Sequence, residues 1–351
     1  MRGIVFLGER ELELRDFPDP RPGPGEVVLA MKASGMCGSD LHPYRASRSG
    51  GAARSLGLGG GAGPCIAGHE PCGVVAERGP GVLEAAAPTG ARVMNHHYKG
   101  CGQCKHCRAG WAQLCPRGIV VYGMTGHGGH APYMTVPAST LVPLPEELSF
   151  EEGAAISCGT GTAYQALRRL DVSGRDTLAV FGQGPVGLSA TMLGVAMGAR
   201  VVAIDVGRER RELGREFGAD AVVDPGTTDV VAALKALTDG EGVDAALDCS
   251  GHPDARLAAA RATRTWGRVG FVGEGNQVTF DVSPDLLRRQ LTLHASWTFS
   301  TLIQEECARF IVKRRVPLKR LLTHRFQLAQ AAEAYRLFDT QTTGKGVFVF
   351  D

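Results

Sequence analysis

The chain has 351 residues, 44% of them hydrophobic and 21% charged, with a formal net charge of +2. That length suggests two domains, and the near-neutral balance gives no reason to expect nucleic acid or an anionic membrane as partner. The opening MRGIVFLGERELELRDFPDP is broken by acidic residues and has no apolar core of signal-peptide length, and no apolar run approaches the roughly 20 residues of a membrane span. The expected location is the cytoplasm, where disulfides are disfavoured.

Residues 1–150 hold short β-like runs broken by Gly and Pro, namely GEVVLAMKAS, CGVVAERG, ARVMNHH and APYMTVP. They predict an irregular, largely antiparallel domain. Between the first two runs lies GMCGSDLH, with Cys37, Ser39, Asp40 and His42, and then AGHEP, with His69 and Glu70. Spacing alone does not join these residues to one another. The intervening stretch 50–63, GGAARSLGLGGGAG, reads as a mobile surface loop, because so much glycine is costly to order. CGQCKHCRAGWAQLC then puts Cys101, Cys104, Cys107 and Cys115 into fifteen residues. Such a run is either a disulfide knot or a set of thiolates round a metal, and a reducing compartment favours the metal. Four sulfurs would form a closed, structural type of zinc site. Lys99, Lys105 and Arg108 would offset part of the charge.

After about residue 160 the pattern changes. DTLAVFG reads as a buried strand, PVGLSATMLGVAMGA as a helix, RVVAID as a strand and RERRELGREFGA as a helix. AVVD, DVVAALKALTDG, GVDAALDCSG, DARLAAARATRTW and GRVGFVG continue the alternation, which implies right-handed crossovers and a parallel sheet. Within VFGQGPVG, Gly182, Gly184 and Gly187 have G-x-G-x-x-G spacing directly between a strand and a helix, and the second strand ends in Asp205. This is the dinucleotide-binding fingerprint in its proper setting. Gly182 would make the tight turn and Gly184 would admit the pyrophosphate. Gly187 would let the helix pack, and Pro185 and Val186 open that helix. Asp205 would bond the adenosine ribose and favour NAD, while Arg208, Arg210 and Arg211 pull toward accommodating NADP. The tail LAQAAEAYRLFDTQTTGKGVFVF predicts one amphipathic helix and a closing strand that returns to the first domain.

Taken in order, Cys-Gly-Ser-Asp-x-His, Gly-His-Glu, the four-cysteine lobe, a Cys-Gly at 158–159 and G-x-G-x-x-G resemble the zinc-dependent medium-chain alcohol/polyol dehydrogenases over essentially the whole chain. The resemblance implies an α/β protein. A mainly-β GroES-like catalytic domain (1–158, structural lobe about 95–116) would be followed by a Rossmann doubly wound parallel sheet (159–294) and a return to the catalytic domain (295–351). It implies two zinc ions per chain. One would be catalytic, on Cys37, His69 and Cys158 with an open position for substrate, and one structural, on Cys101, Cys104, Cys107 and Cys115. Glu70 would lie behind the catalytic metal and Asp40 would orient the ligating histidine.

By the same resemblance the activity is hydride transfer between an alcohol and NAD, with Ser39 taking the hydroxyl proton and passing it through the cofactor ribose to His42. Two histidines, His97 and His130, fall where the family's pocket residues are often apolar, which would suit a polyol, sugar or hydroxy-ketone substrate. Trp297 falls either beside the nicotinamide or in the core. The stretch 50–63 would cover or gate the pocket. Cys65, Cys72, Cys249 and Cys307 read as buried small hydrophobes. A homodimer or homotetramer is expected. Two other readings use the same fold: a non-catalytic or quinone-reductase-like dinucleotide binder, and an aldehyde oxidoreductase. Retention of Cys37, Ser39, His42, His69 and Cys158 together argues against the first.

Overall fold

The structure, a computed structural model, describes residues 1–48, 64–342 and 344–351. The glycine-rich stretch 50–63 lies outside the described residues.

The first part of the chain carries β1 (Arg2–Gly8), β2 (Glu11–Asp16), β3 (Glu26–Gly35), β4 (Glu70–Arg78), β5 (Arg92–Asn95), β6 (Tyr98–Lys99), β7 (Val120–Val121), β8 (Tyr133–Pro137) and β9 (Leu141–Pro143). β3 pairs antiparallel with both β4 and β8, and the antiparallel ladder continues from β4 through β5 to β9. Val27, Leu29 and Met31 of β3 pack with Val75, Val93 and Val136 into one buried cluster. The short pair β6–β7 lies apart from the main sheet, flanking the cysteine lobe.

A long helix then leads out of this unit. Ser149 caps its N-terminus: its hydroxyl accepts from the Glu152 N–H and the Glu152 carboxylate accepts from the Ser149 N–H. The helix Phe150–Ala155 runs through a π turn, Ile156–Thr160, into the helix Gly161–Arg169. Such wide turns re-aim a side chain within a helix and are frequent at functional sites. Cys158 sits in this one.

Next come β10 (Thr177–Phe181), β11 (Arg200–Ile204), β12 (Ala221–Val223), β13 (Val243–Asp248), β14 (Thr263–Phe271) and β15 (Thr292–Ala295). They form one parallel sheet in the order β12-β11-β10-β13-β14-β15, with β10 and β13 adjacent at its centre. That is the doubly wound order, and the crevice between β10 and β13 at their C-terminal ends is its switch point. One element departs from expectation. The helix Pro253–Ala262 stops at the alanine of ATRTW, and Thr263 opens β14 in an extended conformation. Its hydroxyl donates to the Ala259 carbonyl at 2.7 Å. The β-branched threonines favour strand here, where the run of alanines before them favours helix.

After the helix Thr301–Arg314 the chain adds β16 (Leu322–Phe326), the helix Ala331–Asp339 and β17 (Lys345–Val349). β17 pairs antiparallel with β3, so the first sheet reads β16-β17-β3-β4-β5-β9. Through this pairing Lys345 comes to lie beside residues at the C-terminal end of β3, some 309 positions away in sequence.

Candidate active site

Four side chains from three separate places in the sequence meet between the two sheets. Cys37 follows the end of β3, and the Asp40 carboxylate accepts its N–H at 2.8 Å across a single turn. His69 and Glu70 lie at the start of β4, after Gly68, whose φ of +90° turns the chain. Cys158 comes from the π turn. The Cys37 and Cys158 sulfurs, one nitrogen of His69 and one oxygen of Glu70 all lie within 4.8 Å of one another.

Hydrogen bonds orient the group. His69 Nδ1 is 2.9 Å from Asp40 Oδ1, so Nδ1 carries the proton and donates it to the carboxylate. Nε2 is then turned toward the cluster, 3.1 Å from Ser39 Oγ, which also lies 3.4 Å from Cys37 Sγ. Burial disfavours a charged His69, but the Asp40 carboxylate outweighs it and holds the imidazole well above its usual range. The Cys158 thiol donates to Cys37, which keeps Cys37 well below the ordinary thiol range against the opposing effect of burial. The same bond, with burial, holds Cys158 well above it. Burial raises Glu70 to about 8, against the pull of the Lys345 ammonium. Lys345 is itself fully buried; it pairs with Glu70 and donates to the Met36 carbonyl at 3.0 Å.

Two thiols, an imidazole whose metal-facing nitrogen is selected by a carboxylate, and an adjacent carboxylate are the donor chemistry of a zinc site with a position open to substrate. The residues present fit that ion. Burial and the single proton the two sulfurs share add a physical point: two buried thiolates are stable together only beside a cation.

A second cluster is closed. The sulfurs of Cys101, Cys104, Cys107 and Cys115 also lie within 4.8 Å of one another. Backbone N–H groups aim at them: Cys101 N–H at Cys115, Cys104 N–H at Cys101 and Cys107 N–H at Cys104, over 3.3–3.5 Å. The N–H groups of Gln103 and Cys104 bring the Cys101 thiol down to about 6, while burial pushes Cys107 up to about 12. Four sulfurs and no open position suit structural zinc. Lys99 reaches Glu26 at 3.4 Å instead of standing free beside the sulfurs.

The glycine-rich turn follows β10 at the switch point. Gly182 has φ +86°, and a Cβ on Gly187 would fall 1.7 Å from the Gly182 carbonyl oxygen, so neither position tolerates a side chain. Pro185 opens the helix Pro185–Ala196 behind Gly184, with Val186 next. The turn thus presents a helix N-terminus with no acidic residue in it, as an anionic pyrophosphate requires. Asp205, at the end of β11, accepts the Gln183 and Gly207 N–H groups at 2.6 and 2.7 Å, one on each oxygen. The three arginines differ. Arg208 pairs with Glu212 and Arg211 with Asp224. Arg210 lies against Gly184, its buried Nε without a partner.

Cys37, Ser39, His69 and Cys158 line a cleft of about 230 Å³ that also reaches Val186 and the Cys249–Ser250 segment after β13. His97 lines it too, with its ring 5.2 Å from that of His69, and Trp297 lies on its wall. His42 is exposed on the short helix Leu41–Arg45. Two expectations are corrected. His130 does not line the cleft: it is fully buried, with Nδ1 2.8 Å from Ser34 Oγ and Nε2 2.7 Å from the Tyr335 hydroxyl. It is a satisfied core histidine whose chain position, a few residues before β8, faces the packed side of the sheet. Cys249 is not simply core, since it lines the cleft; Cys72 and Cys307 are fully buried. Lys345 escaped the sequence reading, although a lysine inside the apolar run GKGVFVF was a visible sign of a buried partner.

Residues 23–146 match the alcohol dehydrogenase GroES-like domain, and residues 185–313 match the zinc-binding dehydrogenase family. The chain belongs to the zinc-dependent medium-chain alcohol dehydrogenase family. It is 40% identical over its whole length to an uncharacterized zinc-type alcohol dehydrogenase-like protein, YphC, of Escherichia coli, covering 99% of that protein. It is 32% identical to an L-threonine 3-dehydrogenase of Pyrococcus horikoshii, over 96% of this chain and 94% of the other. Among solved structures, an alcohol dehydrogenase from Thermus sp. ATN1 superposes with a TM-score of 0.87 at 29% identity, over 99% of both chains.

Proposed function

We propose that the chain oxidises an alcohol by transferring a hydride to NAD, or reduces the corresponding carbonyl, at a zinc held by Cys37, His69 and Cys158. The observation that carries this reading is the single cleft lined both by those three residues and by Val186, next to the glycine-rich turn. A nicotinamide entering from that turn reaches the same space as a substrate at the cluster. When bound, the zinc would act there as a Lewis acid toward the alcohol oxygen. Asp40 fixes which nitrogen of His69 faces the metal, and Lys345 holds Glu70 behind the cluster. Ser39 takes the hydroxyl proton, and His42 delivers it to solvent from its exposed helix. Cys101, Cys104, Cys107 and Cys115 hold a second, structural zinc.

Gly182, Gly184 and Gly187, with Pro185 and Val186, seat the pyrophosphate. Asp205 keeps lone pairs for the adenosine ribose, and Arg210 stands on the phosphate side of that choice. The catalytic unit is 1–158 together with 295–351, and the nucleotide unit is 159–294. Among the described residues no helix is long and apolar enough to cross a membrane. Ten unpaired cysteines favour the cytoplasm. The outer edge of β15, with Leu293 exposed, favours a homodimer formed by strand addition. The test is NADH formation by the zinc-loaded protein over a panel of simple alcohols, polyols, sugars and amino alcohols. No turnover on any of them would favour the non-catalytic reading.

A further inference from the structure

The ribbon β6–β7 separates two clefts. Tyr98 pairs with Val121 and Lys99 with Val120, and neighbours along a strand point to opposite sides. Tyr98 and Val121 line the cleft at the catalytic cluster; Lys99 and Val120 line a second one, of about 380 Å³, on the other side of the ribbon. The two clefts have no lining residue in common.

Tyr122, the residue after β7, sinks its ring into the apolar cluster of the first sheet and is 6% exposed. Its hydroxyl makes no hydrogen bond among the described residues, yet it is not sealed in: it opens on the second cleft. Burial, and then the Glu26 carboxylate, hold the phenol above its usual range, so it keeps its proton to donate. His127 supplies a second donor. Its Nδ1 accepts the Ile66 N–H at 3.1 Å, so Nε2 carries the ring proton. The His127 ring stands edge-on to Phe17, with centroids 5.1 Å apart, and both line the cleft. The charges there are already balanced: Lys99 pairs with Glu26 at 3.4 Å, and the amino group of Met1 with Asp19 at 2.8 Å.

We propose that this second cleft binds a small uncharged aromatic compound bearing a carbonyl group, with Tyr122 donating to the carbonyl oxygen and the ring lying against Phe17 and His127. A mostly apolar cleft with a few polar groups is the usual form of a small-molecule site. The free polar groups are donors, which calls for an acceptor on the ligand. A largely buried hydroxyl with nothing to donate to is costly, and a ligand oxygen relieves that cost. The aromatic wall offers a flat ring an edge-to-face contact. A charged ligand would lose its hydration and meet only paired charges in return. The site lies outside the active cleft and does not depend on the reaction assigned above.

Benzamide is the probe, with toluene as the analogue lacking the acceptor and benzoate as the charged one, each titrated by calorimetry into zinc-loaded protein with NADH. Benzamide should bind with a Kd of about 1 mM or tighter. Toluene and benzoate should each bind more weakly, and Tyr122→Phe, which keeps the ring and removes only the hydroxyl, should weaken benzamide about five- to tenfold. A crystal soaked with benzamide separates this site from the catalytic cluster, and density is expected between Phe17 and Tyr122. No binding, benzamide found only at the catalytic cluster, or unchanged affinity in Tyr122→Phe overturns the proposal. Toluene equal to benzamide overturns the carbonyl assignment, and benzoate tighter than benzamide overturns the uncharged one. A second copy of the chain filling the cleft and excluding benzamide also overturns the proposal. Should the variant fail to fold, the wild-type titrations and the soaked crystal decide alone.

Discussion

His69 donates its Nδ1 proton to Asp40 over 2.9 Å, and the same carboxylate accepts the backbone N–H of Cys37 at 2.8 Å. One buried group therefore positions two of the three residues assigned to the catalytic zinc. Asp40→Asn would remove the charge and leave the imidazole free to adopt the wrong tautomer. Zinc affinity at this site should fall about 10–100-fold, as for other partners of ligating histidines. Competition with a chromophoric chelator measures it. Unchanged affinity would show that Asp40 serves the loop at 37–40 and not the metal.

The cysteine lobe should behave differently. Cys104→Ser would break a closed site, and a structural zinc contributes folding free energy. The variant should carry one zinc in place of two and unfold at lower temperature, with residual activity outlasting the loss of stability. Metal analysis beside a thermal melt checks both. Two zinc ions retained, with an unchanged melt, would remove the lobe from the account.

Much of this was legible in the chain, and the reasons are local. The turn at Gly182–Gly187 is written in consecutive residues between a strand and a helix, and so is the crowded run Cys101–Cys115. The helix boundary at Ala262–Thr263 was missed because the charged and alanine-rich pattern runs on smoothly into ATRTW, while β14 is decided by pairing with β13. Cys37, His69 and Cys158 come from three elements, and no spacing joins them; only family resemblance did. Lys345 reaches Glu70 by the pairing of β17 with β3, a contact that exists only after the chain has returned on itself. His130 was placed in the pocket across a loop, where a shift of a residue or two exchanges a cleft-facing position for a core one.

That buried position makes its own prediction. Burial lowers His130 from 6.5 to about 4. Its folded-state value lies below the unfolded one, so the unfolded chain takes up the proton first as the pH falls. The stability from keeping this ring neutral is fully present above about pH 6.5 and is lost progressively down to about pH 4. The loss is roughly 3 kcal/mol. His130→Gln keeps hydrogen bonding to Ser34 and Tyr335 without titrating. It should be less stable at neutral pH yet show a shallower fall of stability between those limits, read from urea unfolding. Parallel slopes for the two proteins would contradict the assignment.

Nucleotide choice rests on Asp205 and Arg210. Asp205 should favour NAD in kcat/KM by opposing the 2′-phosphate of NADP. Asp205→Ser should give up about 1.5–3 kcal/mol with NAD, roughly ten- to a hundredfold, and gain with NADP. Part of the NAD loss will come from the Gln183 and Gly207 N–H groups that the carboxylate now binds. Arg210→Ala should then remove the NADP gain, because Arg208 and Arg211 are paired elsewhere. A wild-type protein that already prefers NADP would show that Arg210 dominates.

The most direct test of the central claim is the rate of alcohol-dependent NADH formation by Cys158→Ser, measured against wild type at equal NADH affinity and equal occupancy of the four-cysteine site. If Cys37, His69 and Cys158 hold the zinc at which the alcohol reacts, turnover falls to background while the nucleotide still binds. Turnover close to wild type in that variant would contradict it.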